Sequence, residues 1–259
     1  MSDLKDLKFV QEGIREGRPW WVVETPHYLL MFDEASRKIM APRKFARQAE
    51  RRIREIARLL GLKKDKQTKR YFDGPSIPYF IHDPAVCKWG SGHPGGLDVP
   101  ASMGQAGLRH EEAHKTLERA GGAPPPLFNE GFASYAASPK SNQNHRVVLS
   151  ALESATLPSL PQIADYKSFW KKWKALGRNR SRMYEQAGSF VAFLFGRFGR
   201  RRFIAFSKNV SYTDSNAKVV RVFREVYGMS LGEAEAQWKS YLLRKRSQLR
   251  PRSRRKKRS

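Results

Sequence analysis

The stretch that decides the reading of this chain is RHEEAHKTLERAGGAPPPLFNEGFASY, residues 109–135. It holds two of the six histidines and four glutamates, framed by Ala, Leu and Phe. His110 and His114 are four residues apart, so on a helix they stand one turn above each other and can aim two imidazole nitrogens at one ion. Glu111 completes the pattern HExxH, in which the glutamate does not ligate but takes a proton from water activated by the metal. A catalytic zinc needs a third protein ligand and an open fourth position. Glu130, sixteen residues after His114, is the candidate: it opens EGFASY on the next helix, and the turn AGGAPPP lets that helix fold back antiparallel. Ala133, three positions on, is small enough for the two helices to approach closely. The competing reading of the same residues is an ordinary amphipathic pair with a polar stripe.

Outward from this stretch, the N-terminal half reads as mixed. WWVVETPHYLLMFD, residues 20–33, is rich in β-formers and predicts two short strands broken near Pro26. From Pro42, Phe45, Ala49, Ile53, Ile56 and Leu60 recur at helical spacing up to a stop at Gly61, which predicts a helix packed on a sheet. KKDKQTKR is a polar connection, SIPYFIHD a strand, and KWGSGHPGGLDVPAS a glycine-rich loop running into a short extended piece. Helices are expected at about 102–119 and 128–138, and everything beyond is read as helical. SRMYEQAGSFVAFLFGRFG and AKVVRVFREVYG are amphipathic, and SLGEAEAQWKSYLL opens with a capping box from Ser230 to Glu233. The fold class is therefore α+β: a small N-terminal mixed sheet with helices, followed by a helical half.

HEEAH, then NEGFASY, then YEQAGSFVAFLFGRFG, in that order, resembles the gluzincin metallopeptidases and most closely their compact peptidase MA-like domains. The ending VYGMSLGEAEAQWKSYL resembles the terminal helices of the same family. The resemblance spans residues 20–243 and implies a zincin-like architecture, with residues 1–19 as an N-terminal extension and 244–259 as a disordered basic tail. It implies zinc held by His110, His114 and Glu130, Glu111 as general base, and Tyr184 as donor of a hydrogen bond to the oxyanion. One departure stands out. Many gluzincins carry an aspartate four residues after the third ligand, and here Ser134 occupies that place, a weaker partner for orienting an imidazole. The implied activity is hydrolysis of a peptide or protein substrate, with GGLDVPAS as an edge strand for substrate pairing. His145, in SNQNHRVV, is read as a histidine of a polar loop and a substitute donor. Trp170 and Trp173 are either core or a surface strip.

Bulk properties add a second theme. The 259 residues carry 50 Lys and Arg against 24 Asp and Glu, a formal charge of +26. Ten of those bases lie in RKRSQLRPRSRRKKRS, residues 244–259, which contains no acid. Such a chain is drawn to polyanions by counterion release, so nucleic-acid or other polyanion contact through the tail is expected, against a plain solvated extension. The alternative function is a catalytically silent metallopeptidase fold that binds polyanions. No segment has the apolar length of a transmembrane span. The charged start shows no secretory signal, and the lone Cys87 permits no intrachain disulfide, so a cytoplasmic location is expected.

Overall fold

A strand of alternating burial, such as Tyr28–Phe32, is a strand with one side to pack, and in a computed structural model it lies within a sheet of six strands. The structure describes residues 9–15, 18–62, 75–93, 95–139, 143–153 and 157–246. The polar connection 63–70 and the tail beyond residue 246 lie outside them. Backbone contacts divide the chain into two compact units, Met1–Gly121 and Gly122–Ser259.

In the first unit, β1 (Phe9–Arg15), β2 (Arg18–Glu24) and β3 (Tyr28–Phe32) form an antiparallel meander. The strand break expected near Pro26 is there: the Thr25 hydroxyl accepts from the Tyr28 N–H at 3.0 Å, closing the turn from β2 to β3. Helices α1 (Glu34–Ile39) and α2 (Pro42–Leu59) then carry the chain to β4 (Ile77–His82), which pairs parallel to β3. A parallel pair needs such a crossover because no tight turn can reverse the chain twice. Next come β5 (Ser91–His93), β6 (Gly96–Pro100) and α3 (Gln105–Arg119). The sheet order is β1-β2-β3-β4-β6-β5, with β6 parallel to β4 and β5 antiparallel to β6. This corrects one expectation: the GGLDVPAS segment is not the edge. β6 has a neighbour on each side, and the edge strand is β5.

The apolar stripe expected on α2 is buried as read, with Phe45, Ala49, Ile53, Ile56 and Leu60 all at most 3% exposed. Phe45, Ala49 and Ile53 join Val23, Leu30, Phe32, Ile81 and Val99 in one core. The same helix also buries two charges. Glu50 accepts from the His27 N–H at 3.0 Å, and its other oxygen sits 2.7 Å from His27 Nδ1. Arg52 reaches Glu112 on α3 with Nε at 2.8 Å from Oε2 and Nη2 at 2.6 Å from Oε1, and donates to Gln105 at 2.9 Å. Glu112 is fully buried, and the Tyr79 hydroxyl donates to it at 3.3 Å. Burial holds the Glu112 carboxyl above the usual carboxylate range, with Arg52 opposing that shift. A second pair, Arg109 to Glu55, ties the same two helices.

The second unit is helical: α4 (Pro126–Ala137), α5 (Gln143–Glu153), α6 (Tyr166–Ala175), α7 (Ser181–Phe198), α8 (Arg200–Asn209), α9 (Asn216–Tyr227) and α10 (Leu231–Arg244). Its centre is aromatic. The Phe128 ring lies 4.4 Å from Phe206 and 6.0 Å from Phe223, while Phe190 meets Trp238 at 5.7 Å. α4 and α7 touch through Gly131, where a Cβ would lie 2.7 Å from the Ala187 carbonyl oxygen and 2.7 Å from Val191 Cγ2. The capping box of α10 forms as expected, the Glu233 N–H donating to Ser230 Oγ at 3.2 Å and the Ser230 N–H to Glu233 Oε2 at 2.7 Å. Among the described residues no helix is long and apolar enough to cross a membrane.

Breaking a buried ion pair on one side leaves a charge with no water and no partner, at a cost of about 3–5 kcal/mol, whereas replacing both partners with apolar groups is near neutral. Arg52→Met is therefore expected to lower unfolding free energy by that amount. Arg52→Met combined with Glu112→Leu should recover most of it. Urea unfolding of the two single variants and the double variant checks this; additive losses would show that the pair is not coupled.

Candidate metal centre

His110 and His114 lie on α3, whose register is set from its other side. At about 100° per residue, Glu112 is turned about 160° from both histidines. Holding Glu112 against Arg52 therefore directs both imidazoles away from the sheet core. Their ring centroids are 4.9 Å apart with planes at 82°, and both residues are half-buried. Glu111 lies under the loop that leads into β5. A Cβ at Gly90 would sit 2.8 Å from Glu111 Cγ and 2.6 Å from Met103 Cε, so a side chain there would have to displace the glutamate. Gly92 follows, within ordinary contact of His114 Cβ. The glycine-rich run expected as a loop is what lets the sheet edge pass this close to the helix.

Glu130 is buried near the start of α4, with Pro126 in the first turn of that helix, where the missing N–H costs nothing. One ligand atom from each of His110, His114 and Glu130 lies within 4.8 Å of the other two, so these three residues form a group able to hold a metal ion. Two imidazole nitrogens and one carboxylate oxygen suit a divalent transition metal and leave further coordination positions for water or substrate. The donor set fits the metal that the motif implies.

Tyr184 is half-buried on α7, its ring 6.3 Å from Trp173 and edge-on to it. Trp173 lies 5.4 Å from Trp170, which meets Tyr166 at 6.5 Å, which in turn packs on Tyr212 at 5.3 Å. Trp170 and Trp173 are thus the middle of an aromatic row, half-buried. Tyr212 escaped the sequence reading. Its phenol is pushed up to about 12, first by burial and then by the negative charge of Glu130. It sits in the short turn after α8, just past Ser211, whose backbone bridges to Ala123 in the AGGAPPP turn. Helical periodicity cannot single out a tyrosine in a turn. Ser134, the departure from the gluzincin pattern, packs against α7, where a Cβ at Gly188 would lie 2.9 Å from Ser134 Cβ.

His145 is corrected: it is not in a polar loop but on α5, 8% exposed. Ser189 Oγ accepts from Trp238 Nε1 at 3.0 Å and lies 2.7 Å from His145 Nδ1, which leaves the hydroxyl proton for the imidazole nitrogen. Burial, reinforced by the charge of Lys245, lowers the His145 pKa from 6.5 to about 4. A histidine kept neutral in this way is a core hydrogen-bond acceptor.

The linkage follows from that shift. Between pH 6.5 and 4 the unfolded chain binds a proton at this position that the folded chain refuses, so stability falls as the solution is acidified. At 1.36 kcal/mol per unit the loss at pH 4 is about 3 kcal/mol relative to pH 7. His145→Gln, which keeps a polar partner for Ser189 without titrating, is expected to flatten that part of the profile. The check is the difference in unfolding free energy between wild type and variant at pH 7 and at pH 4; a difference independent of pH would overturn the assignment.

No family model matches the chain, and no curated protein matches it.

Proposed function

We propose that the protein is a zinc-dependent metallopeptidase with a zincin-like arrangement of sheet and helices. The observation that carries this reading is the meeting of His110, His114 and Glu130 in one group able to hold a metal ion, with Glu111 next to His110 in the chain. Bound zinc would supply the positive charge that makes a water molecule acidic and polarises a peptide carbonyl. The chain's own residues do the rest. His110 and His114 act as neutral nitrogen donors, and Glu130 adds the carboxylate. Glu111 accepts the proton of the attacking water and passes it to the leaving amine. The tight packing of Gly90 and Met103 beside Glu111 narrows the positions its carboxylate can take, which favours a base held ready for transfer.

The substrate backbone pairs with the open edge of β5, where the small Ser91 and the side-chain-free Gly92 lie next to α3. Strand addition of this kind fixes a peptide through main-chain hydrogen bonds and selects little by sequence. A tyrosine donates to the oxyanion. The resemblance implies Tyr184, while the nearness of Glu130 charge to Tyr212 makes that phenol the second donor candidate, and its raised pKa keeps it protonated over the working pH range.

Elemental analysis of purified protein should find about one zinc per chain, lost in His110→Ala/His114→Ala. Full zinc occupancy in that double variant would place the metal elsewhere. Glu111→Gln should keep the zinc and lower hydrolysis of a general protein substrate by several orders of magnitude, whereas Glu130→Gln should weaken zinc retention. Equal zinc loss in both, with activity retained, would break the division between base and ligand.

Tyr184→Phe and Tyr212→Phe remove one hydroxyl each. The true donor is the variant whose kcat drops by about 10²-fold or more at unchanged zinc content, and unchanged kcat in both would exclude a tyrosine donor.

A further inference from the structure

A cleft of about 740 Å3 opens in the helical unit, lined by Phe193, Gly196 and Arg197 of α7 and by Gln237, Tyr241 and Arg244 of α10, with Lys245 at its end. Its floor is small and open, since a Cβ at Gly196 would meet nothing within 4 Å. Its walls carry charge of one sign. Among the described residues no carboxylate pairs with Arg197, Arg244 or Lys245, and Lys245 Nζ instead lies 4.8 Å from the centre of the Tyr241 ring. The acids of α10 are committed elsewhere: Glu233 caps its own helix, and Glu235 accepts from the Leu160 N–H at 2.9 Å and pairs with Lys239. Among the described residues no acid lines the cleft. Beyond Arg246 the sequence adds seven more Lys and Arg in thirteen residues.

We infer that this cleft binds the backbone of a single-stranded nucleic acid, with Arg197, Arg244 and Lys245 on successive phosphates. Guanidinium groups pair with phosphate oxygens through parallel N–H donors, and their charge persists at every working pH. A groove of cations with an aromatic ring in its wall, here Tyr241 backed by the buried Phe193 with centroids 5.6 Å apart, is the form that tracks a flexible strand. A duplex, about 20 Å across, does not enter a cleft of this volume. This inference is independent of the peptidase reading.

The test is fluorescence anisotropy of the full chain with a labelled thymidine or uridine oligonucleotide of about 12 residues and with the matching duplex. Two variants are compared: Arg197→Glu/Arg244→Glu/Lys245→Glu, and a full-length chain whose seven tail bases at 250–258 are Gln. The cleft variant should raise the single-strand Kd at least about tenfold and reduce the salt slope by about 2, at about 0.7 per phosphate contact. The tail variant should keep salt-sensitive single-strand binding. Wild-type affinity in the cleft variant would overturn the site. Duplex binding as tight as single-strand binding, or equal displacement by polyglutamate, would overturn the ligand. Ultraviolet crosslinking of a 4-thiouridine strand to the wild-type chain gives a readout free of folding effects. Labels on the 193–197 and 237–245 peptides support the cleft, and labels confined to 247–259 refute it.

Discussion

The buried pair between Arg52 and Glu112 sets the geometry on which the candidate site depends. HEEAH offers two adjacent glutamates, and a helix turned by one residue would exchange them. A carboxylate without water is tolerated only against a cation with its remaining lone pairs filled; Arg52 and Tyr79 provide that environment for Glu112, and Gln105 accepts a further hydrogen bond from Arg52. Glu112 goes there, so His110 and His114 share the opposite side of α3 and Glu111 meets the sheet edge. The interaction contributes orientation more than net stability, because a charge pair of this kind gains little over an apolar substitute.

The second constraint is steric. The sheet edge reaches the motif helix because Gly90 carries no side chain where Glu111 and Met103 pass, whereas a side chain at Gly92 would make only ordinary contact with His114. The helix bearing Glu130 is fixed to α7 through Gly131 in the same manner. Gly90 and Gly131, which look like flexible punctuation in the sequence, are instead points of closest packing. Their cost in unfolded-chain entropy is offset by the close approach they permit.

The distribution of acids explains the charge pattern of the fold. Glu50, Glu112 and Glu235 are turned inward to His27, Arg52 and the Leu160 N–H, so part of the smaller stock of carboxylates is spent on structure. The more numerous bases are left at the surface, and in the cleft between α7 and α10 they stand with no acid among them. Part of the excess of +26 is thus concentrated in this cleft.

The sequence by itself determined the elements whose signal is periodic or local. The α2 stripe, the strand pair around Thr25, the capping box of α10 and the spacing of His110 and His114 follow from residue types within one or two turns of each other. The α+β order follows as well. Tertiary structure decided what depends on residues far apart in the chain. β6 became an interior strand because β5, too short to show a pattern, paired beside it. Arg52 carries no local signal of burial and is buried because its partner lies 60 residues away. His145, in a polar stretch, became a neutral core residue because Ser189 and Trp238 complete its hydrogen bonding. Tyr212 came under the charge of Glu130 through a turn with no periodic signal. Local pattern reports which side of an element is apolar; which polar group is desolvated, and against what, is settled only when distant segments meet.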